Sequence, residues 1–223
     1  MYYNPGLVNR LRYKFPGSDV LPGNASQAGQ DLFVLGMLNG LREGTYLEIG
    51  CAQPIQGNNT FILERFFGWQ GLSMDIHQPF VDEFNAERSN GAMLQDATTA
   101  DFLQLLTDAG WSGDIIDYAS VDCEPPAVTF QALQNLPFDK IKFRVITFEH
   151  DCYAQGPEYK MASREFLRSK GYQLVVSNVS EFQQQHDFED WWVHPDLVDP
   201  TAIELFKDDG DDIKYWLNYT YPS

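Results

Sequence analysis

Carboxylates stand at or just after the end of each of five predicted β-strands. The acids are Glu48, Asp75, Asp96, the pair Asp122 and Glu124, and the pair Glu149 and Asp151. Ligands of open α/β sheets bind beyond the carboxyl ends of the strands, so acids at these points would meet in one crevice. Capping of the following helices explains one or two of them, notably Asp96 or Asp101, but not all five strand ends. The pattern predicts an acidic binding site at this edge of the sheet.

The stretch SVDCEPPAVTF, residues 120–130, combines two acids with two prolines. In an extended segment, alternate side chains point to the same side, so Asp122 and Glu124 can both face a pocket. Two close carboxylates can hold substrate hydroxyls, share a proton or bind a divalent cation. Pro126 suits the first turn of a helix, where its missing N–H costs nothing. We interpret the prolines as a helix start and the acids as site residues.

The loop after the first strand contains Gly50 but continues as Cys51-Ala52-Gln53-Pro54. It therefore lacks the G-x-G-x-x-G pattern that lets a pyrophosphate approach a helix N-terminus. Asp75, at the end of the next strand, is placed to hold ribose hydroxyls. A nucleoside with an amino-acid tail and no pyrophosphate fits this pattern, and S-adenosylmethionine is such a molecule. Its positive sulfonium would also tolerate surrounding acids.

The elements that must position these residues alternate along the chain. Strands are predicted at 45–49, 72–76, 92–95, 115–121, 143–148, 172–179 and 191–194, and helices at 60–67, 79–88, 99–109, 128–136 and 158–170. Ser26 is predicted to cap an earlier amphipathic helix through Leu41. Strands separated by helices require a mostly parallel sheet covered on both faces, hence a doubly wound α/β fold. We expect one domain over 1–223, with an extended arm at 1–25, a core at 26–195 and a C-terminal segment at 196–223 that contains a solvated acidic loop.

Composition limits the partners. The 32 acidic and 15 basic residues give a formal charge of -17, which opposes binding to nucleic acid and to anionic membranes. No window reaches the ~20 consecutive apolar residues of a membrane helix, and the first residues do not resemble a signal peptide. Three cysteines without paired spacing favour a reduced, cytoplasmic protein.

Five blocks of the chain resemble the FkbM-type S-adenosylmethionine-dependent methyltransferases, in particular an environmental or phage-like branch. The blocks are SQAGQDLFVL, GTYLEIGCAQPIQGNNTFILERFFGWQGLSMDI, DYASVDCEPP, FRVITFEHD and FEDWWVHP. The resemblance implies a Rossmann-like class I methyltransferase fold with a mostly parallel seven-stranded sheet and an antiparallel last strand. The chain departs from the family pattern after the fourth strand, where Pro125 and Ala127 replace a glycine and an acid.

The resemblance also implies roles for individual residues. Glu48, Gly50 and Gln53 would line the methionine part of the cofactor, Asp75 would take the ribose, and Asp96 with Ala97 would flank the adenine. Gln27, with Ser26 and Gln30, would close the pocket or merely cap a helix. The remaining members of the predicted cofactor set are Cys51, Asn59, Ile76 and Asp122.

Methyl transfer to a hydroxyl usually needs a base, and His150 is the first candidate because its ordinary pKa is ~6.5. Glu149 or Asp151 would orient it, Asp122 and Glu124 would serve the acceptor, and His194 is the second candidate. A divalent Mg or Mn ion is compatible with these ligands but is not expected.

The predicted function is O-methylation, with S-adenosylmethionine as donor, of a small hydroxylated acceptor such as a sugar or glycan unit. A methyltransferase-fold binding module without activity is the first alternative. A nicotinamide-dependent oxidoreductase is less favoured because the glycine pattern is absent. The proline pair also occupies the position of the signature of DNA amino-methyltransferases, but Ala127 stands where that signature has an aromatic residue.

Overall fold

A computed structural model describes residues 11, 13–181 and 186–215. Their strands form one eight-stranded sheet in the order β3-β2-β1-β4-β5-β7-β6-β8. The strands are β1 (Thr45–Ile49), β2 (Gln70–Asp75), β3 (Ala92–Leu94), β4 (Ile115–Val121), β5 (Lys142–Glu149), β6 (Gln173–Ser180), β7 (Glu189–Val193) and β8 (Lys214–Tyr215). All pairings are parallel except those of β7 with β5 and β6. The predicted antiparallel strand is thus β7, and the two-residue β8 extends the sheet beyond the predicted seven strands.

Helices cover both faces of the sheet. They are α1 (Gln30–Met37), α2 (Phe61–Phe67), α3 (Gln78–Glu87), α4 (Phe102–Asp108), α5 (Pro126–Asn135), α6 (Cys152–Gln155), α7 (Glu158–Ser169) and α8 (Pro200–Phe206). Successive residues of β1 point to opposite faces, and both are buried: Tyr46 joins one apolar cluster and Leu47 the other. Burial on both faces is characteristic of a doubly wound α/β sheet, which confirms the predicted architecture.

Of the two predicted helix starts, the one at Pro126 is confirmed and the one after Ser26 is wrong. Pro126 is the first residue of α5, as predicted. Ser26, however, does not occupy the cap position of α1, which begins at Gln30 after Gly29 (φ 90°). Its hydroxyl oxygen accepts from the backbone N–H groups of Gly29 at 3.1 Å and Asp31 at 3.4 Å and donates to Asp31 Oδ1 at 2.5 Å, and the backbone of Ser26 forms a bridge with Gly57. The segment before α1 is therefore tied to the loop that follows β1.

The two ends of the described chain pack against the sheet. Leu11, Phe15 and Leu21 are buried in the same apolar cluster as α1, with a short 3-10 turn at Ser18–Val20 between them; residues 1–10 and 12 of the predicted arm lie outside the described residues. The predicted acidic loop has exposed side chains from 209 to 212, but the carbonyl oxygens of Gly210 and Asp212 accept hydrogen bonds from the buried Lys214. No helix among the described residues is long and apolar enough to span a membrane.

Candidate functional site

Two adjoining cavities open at the carboxyl edge, where the parallel strands end. The β2 cavity, of about 240 Å³, is lined by residues that follow β1, β2, β3 and β4, among them Asp75, Ile76, Phe80, Asp96, Ala97 and Glu124. The β1 cavity, of about 280 Å³, is lined by Gln27, Glu48 and the β1 loop, residues 50–60. The two cavities share Gly50, Ala52, Phe80 and Asp122. Every residue predicted to bind the cofactor lines one of them; Phe80, which lines both, was missed by the sequence analysis.

Gly50 allows the two cavities to meet. Its φ is +79°, and a Cβ at this position would overlap the carbonyl oxygen of Asp122. The loops after β1 and β4 therefore approach each other more closely than any side chain would permit. This approach brings Asp122 to the junction of the cavities.

Asp75 ties together the loops after β1 and β2. Its Oδ2 accepts from the backbone N–H of Ala52 at 3.1 Å, and its Oδ1 accepts from the backbone N–H of His77 at 2.8 Å. Each carboxylate oxygen has a further lone pair available to a ligand in the β2 cavity. Asp96 lies on the same cavity, but its carboxylate accepts from both the N–H and the hydroxyl of Thr98, which lower its pKa. Asp96 thus closes a turn and does not cap a helix; the cap of α4 is Asp101, whose carboxylate accepts from the backbone N–H of Gln104 at 3.1 Å.

Glu48 is buried beneath the β1 loop, and both of its oxygens are hydrogen-bonded. Its Oε1 accepts from Asn58 at 3.0 Å, and its Oε2 accepts from Thr60 at 3.0 Å and Ser73 at 2.8 Å. Burial raises the pKa of Glu48 to about 7. Glu48 therefore supports the floor of the β1 cavity through its neighbours, and only its Oε1 has a lone pair left for a ligand.

Asn59 lines the β1 cavity and carries a buried acceptor atom that is unused. Its Nδ2 donates to the Ser120 hydroxyl at 2.9 Å, while its Oδ1 is buried without a partner among the residues that the structure describes. Buried polar atoms are almost always hydrogen-bonded in native proteins. A ligand with an N–H donor, such as an amino-acid ammonium group, would satisfy this oxygen.

Four carboxylates gather beside the cavity junction and are called the acid cluster: Asp122, Glu124, Glu149 and Asp151. Asp122 and Glu149 share a hydrogen bond, as do Glu124 and Asp151. Burial raises the pKa of Asp122, and burial together with the Asp122 charge raises that of Glu149 well above its usual range. Burial and the neighbouring Glu124 raise the pKa of Asp151 to about 7. Oxygens of Glu124, Glu149 and Asp151 lie within 4.8 Å of one another, a spacing that could also hold a divalent cation.

Glu189 joins this edge from the antiparallel strand and was not predicted. It pairs with Glu149 across the sheet and accepts hydrogen bonds from Gln30 at 2.9 Å and from the Trp191 indole at 2.6 Å. Burial raises the pKa of Glu189 to about 8. Because β7 runs opposite to its neighbours, its first residue, not its last, reaches the carboxyl edge. The acids that begin the EDWWV segment were the available signal.

His150 is placed away from both cavities. Its imidazole is fully buried, with Nε2 3.6 Å from Asp190 Oδ1 and Nδ1 accepting from the backbone N–H of Cys152 at 3.3 Å. Arg164 in turn donates to both oxygens of Asp190, at 2.6 and 2.8 Å. Although burial alone would raise it, the hydrogen bonds from Arg164 hold the pKa of Asp190 below its usual range. The predicted base role of His150 therefore lacks the access to an acceptor that it requires.

His194 lies at the opposite edge of the sheet. It follows the last residue of β7, and its backbone N–H donates to the carbonyl of Arg144 near the start of β5. The centroid of its ring lies 5.4 Å from that of the Tyr172 ring. The antiparallel direction of β7 carries it away from the acid cluster. The prediction that His194 is catalytic is contradicted by this position.

Aromatic and polar side chains border the acid cluster. Tyr153, on α6 directly after Asp151, stacks on the exposed His186 with ring centroids 4.4 Å apart. The Gln27 amide donates to Glu181 Oε2 at 2.8 Å, which joins the segment before α1 to the end of β6. Tyr153 lies close enough to Asp151, Glu149 and Glu124 for their charges to raise its pKa in addition to the effect of burial.

Comparison with solved structures identifies the architecture. A Clostridium thermocellum protein assigned as an rRNA methylase superposes with a TM-score of 0.51 at 14% identity, covering 74% of this chain and 92% of that one. An O-methyltransferase from Bacillus cereus in complex with S-adenosylhomocysteine has a TM-score of 0.48 at 16% identity, covering 83% and 84%. The chain has the Rossmann-like methyltransferase fold.

No family model and no curated protein matches the chain. The resemblance to the FkbM-type enzymes therefore rests on the five sequence blocks.

Proposed function

We propose that the chain is an S-adenosylmethionine-dependent methyltransferase that methylates a hydroxyl group of a small polyhydroxylated acceptor, such as a sugar or glycan unit. The observation that carries the proposal is the meeting of two cavities at Gly50 and Asp122, directly beside the acid cluster. The FkbM-type resemblance of the five sequence blocks supports the same activity.

The residues around the two cavities fit the parts of this cofactor. In the β2 cavity, Asp75 offers oxygens to ribose hydroxyls, and Ile76 and Phe80 offer apolar surface to an adenine ring. In the β1 cavity, Asn59 Oδ1 offers the acceptor that an ammonium group needs, and Gln53 is available to the carboxylate. Gly50, which lines both cavities, lets the loops after β1 and β4 meet where the sulfur of the cofactor would lie.

The acid cluster supplies the groups that the reaction needs from the protein. When bound, S-adenosylmethionine supplies an electrophilic methyl group, which leaves its sulfur as the new oxygen–carbon bond forms. Asp122 at the junction orients the acceptor hydroxyl for in-line approach. Asp151 takes the hydroxyl proton, since its pKa of about 7 is close to the working pH, where general bases are most effective.

The chemistry above the acid cluster favours a neutral polyol as acceptor. Carboxylates accept hydrogen bonds from several hydroxyls at once, and the stacked Tyr153 offers an aromatic face to the apolar side of a sugar ring. The formal charge of -17 opposes a polyphosphate such as nucleic acid. A divalent cation on the acid cluster is not part of this proposal.

The experiment that tests the proposal follows methyl transfer from methyl-labelled S-adenosylmethionine to a panel of monosaccharides, glycans, amines and RNA. We expect label in the sugars, undiminished by chelation of divalent cations. Transfer only to amines or RNA would contradict the acceptor class. Cofactor binding without transfer to any acceptor would instead support a binding module.

A further inference from the structure

Arg88 follows α3 and lines neither cavity. It nevertheless forms hydrogen bonds with three residues of the β1 loop, and no predicted role of the cofactor residues accounts for these bonds. We infer that Arg88 is a positioning residue that holds the β1 loop in the conformation that receives the amino-acid end of the cofactor. The inference rests on the proposed function. It gives the β1 loop, which lacks the G-x-G-x-x-G pattern, a side chain that fixes its conformation.

The guanidinium of Arg88 joins the middle of the β1 loop to its end. Its Nη1 donates to the carbonyl of Pro54 at 2.8 Å and to Asn58 Oδ1 at 2.9 Å, and its Nη2 donates to the Thr60 hydroxyl at 3.0 Å. Its Nε donates to Glu64 Oε2 at 2.9 Å, on the first turn of α2. A single planar group thereby fixes three acceptors that are spread over seven residues of one loop. The guanidinium of an arginine provides this geometry, whereas the ammonium group of a lysine does not.

The contacts of Arg88 are shielded from water. The Arg88 side chain is 1% exposed, and its guanidinium lies 4.6 Å from the ring centroid of Phe84 and 5.6 Å from that of Phe61. Hydrogen bonds to a charged donor are stronger and more directional when they are desolvated. Such a buried group fixes its acceptors more firmly than an exposed ion pair would.

From the anchored residues, hydrogen bonds continue to the β1 cavity. Asn58, held by Arg88 through its Oδ1, donates through Nδ2 to Glu48 Oε1 at 3.0 Å and to the carbonyl of Cys51 at 3.2 Å. Asn59, with its unused acceptor, is the next residue. Displacing Asn58 would therefore shift the groups that face the amino-acid end of the cofactor, while Asp75 on β2 would keep its place.

A merely structural Arg88 would hold α3 against α2 and support both cavities equally. A positioning Arg88 acts on the β1 cavity alone. The two roles are separated by comparing S-adenosylhomocysteine, which carries the amino-acid part, with methylthioadenosine, which lacks it.

The test measures the dissociation constants of both ligands by calorimetry for the wild type, Arg88→Lys and Glu64→Gln. Loss of a group that orients ligand-contacting residues typically costs about 10- to 100-fold in affinity, so we expect a loss of this size for S-adenosylhomocysteine in Arg88→Lys. The affinity for methylthioadenosine should be unchanged. Glu64→Gln is the matched control, because it removes the ion pair and leaves the bonds from Arg88 to the loop.

Hydrogen exchange of the β1 loop amides is the second readout and needs no ligand. Exchange should accelerate in Arg88→Lys and in Phe84→Leu, which loosens the ring beneath the guanidinium, and not in Glu64→Gln. Equal losses for both ligands, or loop exchange unchanged in both variants, would overturn the inference. Failure of the wild type to bind S-adenosylhomocysteine would instead remove the proposed function, while the exchange result would still decide whether Arg88 holds the loop.

Discussion

Asp151 combines the features of a base that the predicted histidines lack. It sits in the acid cluster, its carboxyl shares a hydrogen bond with Glu124, and its pKa is raised to about 7 by burial and by that neighbour. His150, one residue earlier, turns its ring into the protein toward Asp190. Adjacent residues thus have opposite surroundings, which is why our proposal assigns the proton-accepting role to the carboxylate and not to the imidazole.

At the residue scale, Asp151→Asn should reduce the turnover number by about 10²- to 10⁴-fold, the usual contribution of a general base. The dissociation constant of S-adenosylhomocysteine should not change, because Asp151 lines neither cavity. In the wild type, turnover should rise with pH through about 7 as Asp151 loses its proton. Initial rates between pH 5.5 and 8.5 measure the loss of turnover and its pH dependence, with Asp139→Asn, at an exposed and distant aspartate, as control. Normal turnover in Asp151→Asn would exclude this carboxylate as the base.

At the scale of elements, the close approach of the β1 and β4 loops depends on Gly50. The parallel register pairs Ile49 with Val121, so both strands end at the same level and their loops cross immediately. Asp122 N–H donates to the Ile49 carbonyl at 3.0 Å, which holds the crossing in place. The cavity junction is thus a product of strand register together with one residue that has no side chain.

Gly50→Ala and Gly57→Ala form a matched pair, since both glycines have φ +79° but only Gly50 faces another backbone. Gly57→Ala should lower the free energy of unfolding by about 1–2 kcal/mol, the cost of an alanine in the left-handed conformation. Gly50→Ala should lower the free energy of unfolding substantially more, because the Asp122 carbonyl must move as well. Thermal unfolding measures both, at about 2–4 °C per kcal/mol for a chain of this size. Equal shifts for the two variants would show that the overlap at Gly50 is relieved without cost.

Local patterns in the sequence predicted the parallel elements well. β1 and β4 have the predicted bounds, because each is a short apolar run between polar loops. The direction of β7 could not be read from local pattern, since EDWWV is buried on both faces in either orientation. That direction decides whether Glu189 or His194 reaches the site. Likewise, the burial of His150 and the contacts of Arg88 depend on residues distant in sequence, so spacing alone did not reveal them.

On the scale of the whole molecule, carboxyl groups with raised pKa values make stability depend on pH. Burial raises the pKa of Glu48 to about 7 and that of Glu189 to about 8, whereas an exposed glutamate titrates near ~4.3. Between these values the folded protein binds more protons than the unfolded chain, so the free energy of unfolding falls as pH rises. Repulsion within a chain of formal charge -17 acts in the same direction. Asp190 opposes this trend only at acid pH, where it would lose its ion pair with Arg164.

We therefore expect the midpoint of thermal unfolding to be higher at pH 5.5 than at pH 8.5. Glu189→Gln should reduce this difference, because an amide in that position carries no charge at either pH. Calorimetric scans of both proteins in buffers of matched ionic strength provide the measurement. A midpoint that rises toward pH 8.5 would mean that these carboxyls are ionised in the folded protein near their ordinary pKa values.

The measurement that tests the central claim most directly is the calorimetric titration of the wild type, Asp75→Asn and Asp139→Asn with S-adenosylhomocysteine. Asp139 is exposed and lies before β5, at the other edge of the sheet, so its substitution is the charge-matched control. Hydrogen bonds to a charged group contribute about 1.5–3 kcal/mol, so Asp75→Asn should bind about 10- to 100-fold more weakly than the other two proteins. Absence of binding to the wild type, or equal affinity in all three proteins, would contradict the account of the cavities as a cofactor site.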